Sequence, residues 1–187
     1  MKKKLSLLLA IVMVMSFMLV GCSTDIKGTW VAKVDFTDML TDNMTQSSPT
    51  MAHYVQFSGL TIDMVIEIED DENYTLSVDE DSVDEFLDKI VKQSIAGVEK
   101  QLGRALSDAE RKVYDQQFRK SLGNVDDLVK GESGTYTFED DKLVLEGAGG
   151  STKTFEYFKG ELSYVGSSGD ANNPVEDALK EATFKKK

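Results

Sequence analysis

Few residues in this chain could carry chemistry. His53 is the sole imidazole and Cys22 the sole thiol, so no pair of histidines can hold a metal, no internal disulfide can form and no cysteine-based zinc site can be built. Met39, Met44 and Met51 share a polar stretch with His53. Met51-Ala52-His53 brings a thioether and an imidazole close, soft donors of the kind that hold Cu(I). Methionines in such a stretch also serve as adaptable cover over an apolar opening, or stand in a plain solvent-exposed loop. Asp79, Glu80, Asp81, Asp84, Glu85 and Asp88 crowd together, but a calcium loop needs glycine at its sixth place and glutamate at its twelfth, which here hold Asp84 and Ile90. Acids so placed suit the first turn of a helix instead. No Gly-x-Ser-x-Gly occurs, and the run from Gly147 to Gly150 precedes a strand pattern rather than a helix, which leaves it a turn. Nothing marks two carboxylates as inward and close, as a glycosidase needs. The expectation is a protein that is not an enzyme and uses no metal and no cofactor.

The elements around these residues are mostly strands. From Thr29 to Phe36 the even positions Trp30, Ala32, Val34 and Phe36 are apolar, and from Leu60 to Glu69 the pattern repeats with Leu60, Ile62, Met64, Ile66 and Ile68. Such alternation gives a strand one dry face and one wet face. Shorter strands follow around Tyr74, Leu76 and Val78; Tyr136 and Phe138; Leu143 and Leu145; Phe155 and Tyr157; Leu162 and Tyr164; and a last one over Ala182 to Lys185. Asp70 to Asn73, Glu139 to Asp141 and Lys159-Gly160 suit hairpin turns. Between the third and fourth strands the period changes. Ser82 with Glu85 reads as a capping box, followed by Val83, Phe86, Leu87, Ile90, Val91, Ile95, Val98 and Leu102 at helical spacing until Gly103. Ser107 with Glu110 opens a second helix carrying Val113, Tyr114, Phe118 and Leu122, closed by Gly123. Residues Asp79 to Lys130 are therefore expected to form a helical hairpin inserted in a sheet, each helix burying one apolar stripe.

Parity then sets the topology. Antiparallel neighbours reverse direction, so the tight turns fall at one end, and the stretch from Thr37 to Gly59, the helical insert, Gly147 to Ser151 and Gly166 to Lys180 fall at the other. The fold class expected is mainly β: an up-and-down antiparallel eight-stranded barrel with an inserted helical hairpin, its edges removed by closure. With 187 residues the chain has room for one such unit.

Its start has a different character. Lys2, Lys3 and Lys4 precede the 16-residue apolar run Leu5 to Val20, short of the roughly 20 residues a spanning helix needs and suited to a signal segment. The sequence Leu19-Val20-Gly21-Cys22 resembles the lipobox of bacterial lipoproteins. That resemblance implies a signal peptide over 1-21, a mature protein beginning at Cys22 with a diacylglyceryl group on its thiol, a short linker over 22-27, and a lipid anchor on the extracytoplasmic face of the bacterial cell membrane. The first 21 residues hold three lysines and no acid, so the formal charge of −12 becomes −15 when they are removed. Such a surface repels phosphate backbones, and no nucleic acid is expected as a partner.

The body, 28-187, has a resemblance of its own. Gly28-Thr29-Trp30, the long connection after the first strand, the hairpin turns and the closing Phe184-Lys185 look like the small lipocalin-like domains of bacterial lipoproteins. The resemblance implies that Trp30 plugs the closed end and that Lys185 packs over it as a cation. It also implies a small apolar or amphipathic ligand in or at the mouth of the barrel, with Thr37 to Gly59 and the hairpin as a lid. Candidate ligand-binding residues are then Met39, Met44 and Met51 of the lid and Tyr74, Tyr136, Tyr157 and Tyr164, which all fall on the apolar parity; the tyrosines equally suit packing at a barrel rim. The alternative is a filled barrel whose elaborated end docks another envelope protein.

Overall fold

A computed structural model describes residues 25–69, 71–121, 131–168 and 174–187. The expected signal segment with Cys22, Asp70, and Leu122, Gly123 and Lys130 of the expected hairpin lie outside the described residues. Eight antiparallel strands close into an up-and-down barrel in sequence order: β1 (Gly28–Asp35), β2 (Thr61–Ile68), β3 (Asn73–Val78), β4 (Glu132–Glu139), β5 (Lys142–Gly147), β6 (Thr152–Phe158), β7 (Glu161–Ser168) and β8 (Thr183–Lys186). Closure comes from β8 against β1, with Trp30 opposite Lys186 and Val31 opposite Lys185.

The alternating residues point where their parity requires. Trp30, Ala32, Val34, Leu60, Ile66, Tyr74, Leu143, Leu145, Phe155, Leu162 and Phe184 are almost wholly removed from solvent. Tight turns join strands at one end. Asp140 and Asp141 have φ of 51° and 60°, and Lys159 and Gly160 have 51° and 88°, the positive pair that a two-residue type I′ hairpin demands. Among the described residues, the other end carries five helices: α1 (Thr37–Ser47), α2 (Pro49–Ala52), α3 (Glu80–Leu102), α4 (Asp108–Ser121) and α5 (Pro174–Lys180).

Several local expectations are corrected. Residues 37 to 59, read as a loop, hold α1 and α2. The helices escape a pattern search because Thr, Asn and Ser are middling helix formers and α1 buries no residue fully. Asp79, not Ser82, caps α3: its Oδ1 accepts the Ser82 N–H at 2.9 Å. Ser82 instead uses its hydroxyl to accept the Asp63 N–H of β2 at 3.0 Å, fastening the helix start to the barrel. The second box forms as expected, with the Ser107 N–H on Glu110 Oε2 at 2.8 Å and the Glu110 N–H on Ser107 Oγ at 3.3 Å. Gly103 ends α3 in the left-handed conformation. The stripe of α4 is not buried: Val113 and Tyr114 are about half exposed, as is Leu102 at the end of α3.

At the closed end Trp30 is the plug. Its Nε1–H donates to the Ile26 carbonyl at 2.8 Å, and its ring meets Tyr157 edge-on at 6.1 Å, which in turn meets Phe138 at 6.0 Å. The cation over Trp30 is Lys186, with Nζ 5.9 Å from the ring, and not Lys185. Parity explains the correction. Phe184 points inward, so Lys186 shares its face while Lys185 points out to Glu161 at 3.0 Å. Gly28, with φ of 112°, lets the Lys186 stem pass; a Cβ there would sit 3.1 Å from its Cε.

Candidate functional site

The barrel interior is occupied by its own side chains. Phe155 meets Tyr164 at 5.4 Å and Phe184 at 5.5 Å, and Val83, Phe86, Leu87 and Ile90 of α3 join the same core. Phe86 closes the helical end against Phe36, ring centroids 6.1 Å apart.

Space opens one layer further out, between the helices. A pocket of about 270 Å³ is walled by Met44 of α1, Met51 of α2, Val55, then Val91, Ser94, Ile95 and Val98 of α3, and Tyr114 and Phe118 of α4, with Ser47 and Ser48 at one side. Its floor follows from the helical period, because Val91, Ser94, Ile95 and Val98 stand one turn apart on the same face of α3. Two contacts hold the α1–α2 segment over that face. Gln93 makes a pair of hydrogen bonds with the backbone of Ser58, receiving the N–H at 3.0 Å and donating to the carbonyl at 2.9 Å. Gly97 lets Val55 approach so closely that a Cβ on it would lie 2.3 Å from Val55 Cγ2 and 3.0 Å from Val55 Cα. Behind this apolar wall the Ser94 Oγ is buried and has no hydrogen-bond partner among the described residues. What a guest in the pocket would cover is the two thioethers, the aliphatic face of α3 and the two rings.

Two polar regions lie apart from the lining of this pocket. Inside the rim of the barrel Glu132 accepts the Tyr74 hydroxyl proton at 3.0 Å and pairs with Lys153. Burial, then the Glu132 hydrogen bond, raises the Tyr74 pKa far above the ordinary tyrosine range. Burial does the same to Tyr164, less strongly. Between α1 and α5 runs a groove of about 950 Å³ with Asp35, Asp38, Asp42, Asp177 and Glu181 along it. Among the described residues, no group of three or more His, Cys, Asp or Glu side chains is arranged to hold a metal ion.

The expected site residues separate accordingly. Met44 and Met51 meet in the pocket, whereas Met39 lines the acidic groove. His53 is exposed, edge-on to Tyr54 at 5.9 Å. Tyr74 and Tyr164 are core residues. Tyr136 donates to the Glu69 carbonyl at 3.2 Å and Tyr157 packs on Trp30, so these two belong to the closed end. The residues that sequence reasoning did not single out are Ser94, Gln93 and Gly97. Gly97 alone carried a signal, a glycine in mid-helix with no turn to make. Comparison of the chain with protein-family models, with curated proteins and with solved structures finds no match.

Proposed function

We propose that this chain is a non-enzymatic, lipid-anchored lipoprotein of the cell envelope, tethered through Cys22 on the extracytoplasmic face, that binds a small apolar or amphipathic ligand at the helical mouth of its barrel. The supporting observation is the 270 Å³ pocket in which two methionines, the apolar face of α3 and two aromatic rings line one space. The ligand class follows from that lining: a body of a few hundred Å³ at most, apolar along its length. The anchor is supported by the basic start, the apolar run and Leu19-Val20-Gly21-Cys22.

Native mass spectrometry of the protein purified from membranes, with anilinonaphthalene sulfonate as a fluorescent probe, tests the binding. Wild type is expected to retain an apolar mass or to bind the probe, and Ser94→Phe, which fills the pocket, to lose both. Unchanged probe binding by S94F would remove the pocket from consideration. The second reading, docking of an envelope protein, draws on the filled barrel and on Leu102 and Val113, each about half exposed on the hairpin. Leu102→Ser with Val113→Ser would weaken docking and spare probe binding.

A further inference from the structure

The closed end of the barrel is divided by charge, and one side carries an exposed aromatic ring. Phe158, at the tip of the β6–β7 hairpin, is 69% exposed, the most exposed large apolar residue among those described, and Lys159 Nζ stands 4.8 Å over its ring. The hairpin adjoins β8 and, through it, β1, which brings Lys159 to the same side as Lys27 and Lys185 to Lys187, with Asp25, Glu161 and, just past β2 opposite Lys27, Glu69 as the acids among them. Across the barrel from this hairpin the turn Asp71-Glu72 is acidic, while the acidic turn Glu139-Asp140-Asp141 borders β6, its Asp141 carbonyl accepting the Tyr157 N–H at 2.8 Å. An exposed phenylalanine beneath a lysine is a poor surface for water and a good one for a headgroup layer, which takes the ring at its acyl boundary and the ammonium among its phosphates.

We propose that this basic side, with Phe158 at its tip, is a second contact with an anionic lipid surface, so that the barrel leans on the membrane with its Asp71-Glu72 turn lifted away. The proposal rests on the reading of Cys22 as the anchor. Only Ser23 and Thr24 separate Cys22 from Asp25, and Asp25 lies at this end, held to Lys186. At about 3.5 Å per residue the tether is too short to keep the domain clear of the bilayer. Charge then selects which side faces it, because lysines are drawn to anionic headgroups and carboxylates repelled within a Debye length.

The test uses the lipidated protein carrying Phe158→Trp, reconstituted into vesicles of phosphatidylglycerol and phosphatidylcholine in equal parts or of phosphatidylcholine alone, with wild type supplying the background from buried Trp30. The expected result is a blue shift and quenching by brominated lipid on the anionic vesicles, both reduced on neutral ones and lost when Lys159→Glu and Lys187→Glu are added. Protein that sediments with vesicles while its introduced indole neither shifts nor is quenched overturns this contact and leaves the anchor standing. Equal quenching on both vesicles overturns the selection by charge. Protein that does not sediment at all overturns the anchor and the contact together.

Discussion

At the scale of single residues, Gly97 decides whether the pocket exists. Replacing a mid-helix glycine by alanine usually stabilises, by about 0.5–1 kcal/mol. Here the new methyl would meet Val55 at 2.3 Å from Cγ2 and 3.0 Å from Cα; the side chain could rotate, but the backbone could not, and overpacking of this kind costs about 1–3 kcal/mol. The clash outweighs the gain in helix propensity. Gly97→Ala is expected to lower the urea midpoint and weaken probe binding together, whereas a change that touched stability alone would leave the probe's affinity as it was. Ser94 makes the complementary point. Serine at a helical position on an apolar face reads as dilution of the stripe, and only three-dimensional packing turns its hydroxyl into a polar atom lacking a partner.

At the scale of elements, the hairpin turns and the Ser107–Glu110 box were the most legible parts of the sequence because their chemistry is local. Asp140-Asp141 was readable as a hairpin, and the structure adds that both residues take positive φ, 51° and 60°. Asp141→Gly, which gives the pair favoured in type I′ turns, is expected to raise stability by about 0.5–1 kcal/mol in thermal unfolding. The turn between α3 and α4 responds to acid. Hydrogen bonds from Arg104, and then from the backbone and hydroxyl of Ser107, bring the Glu110 pKa down to about 2 from an ordinary value of 4.5. The Leu106 N–H, and then Arg111, lower that of Glu99. A depressed carboxylate pKa contributes stability above the unfolded value and loses it as pH falls through the folded one. Helix content by circular dichroism is therefore expected to decline as pH drops from about 4.5 toward 2, and Glu110→Gln to flatten that decline. Solvent reaches both carboxylates, so the effect is modest and belongs to the hairpin, not to the barrel. The helices α1 and α2 were illegible for the opposite reason. Their order comes from tertiary clamps, Thr37 Oγ1 on the Leu60 N–H at 3.0 Å and Gln93 on Ser58, which no window of neighbouring residues contains.

At the scale of the whole molecule, alternation in β1 and β2 and the parity of the connectors sufficed to give a closed barrel with its helices at one end. The same parity could not sort the tyrosines, since an inward ring can as well be core as lining, and volume distinguishes them only after every neighbour is placed. Barrel and cap differ in how they are held. The strands share one continuous core, whereas α4 leaves Val113 and Tyr114 half exposed and faces α3 across an open groove of about 630 Å³. Hydrogen exchange is expected to show α4 opening well before β5 to β7, in separate steps; simultaneous exchange throughout would mean that the cap is as firmly built as the barrel.

The seam between β1 and β8 has a consequence for assembly. It joins the first strand to the last at Trp30 with Lys186 and Val31 with Lys185, the Lys187 N–H donating to the Thr29 carbonyl at 2.9 Å, and all eight strands must have been delivered before the ring can shut. Until then β1 presents one row of unsatisfied amides, and Trp30 lacks the lysine that lies across it. A chain fed amino end first therefore finishes its most distant pairing only once its eighth strand has emerged, and any helper that shields the nascent strand has to act during that interval.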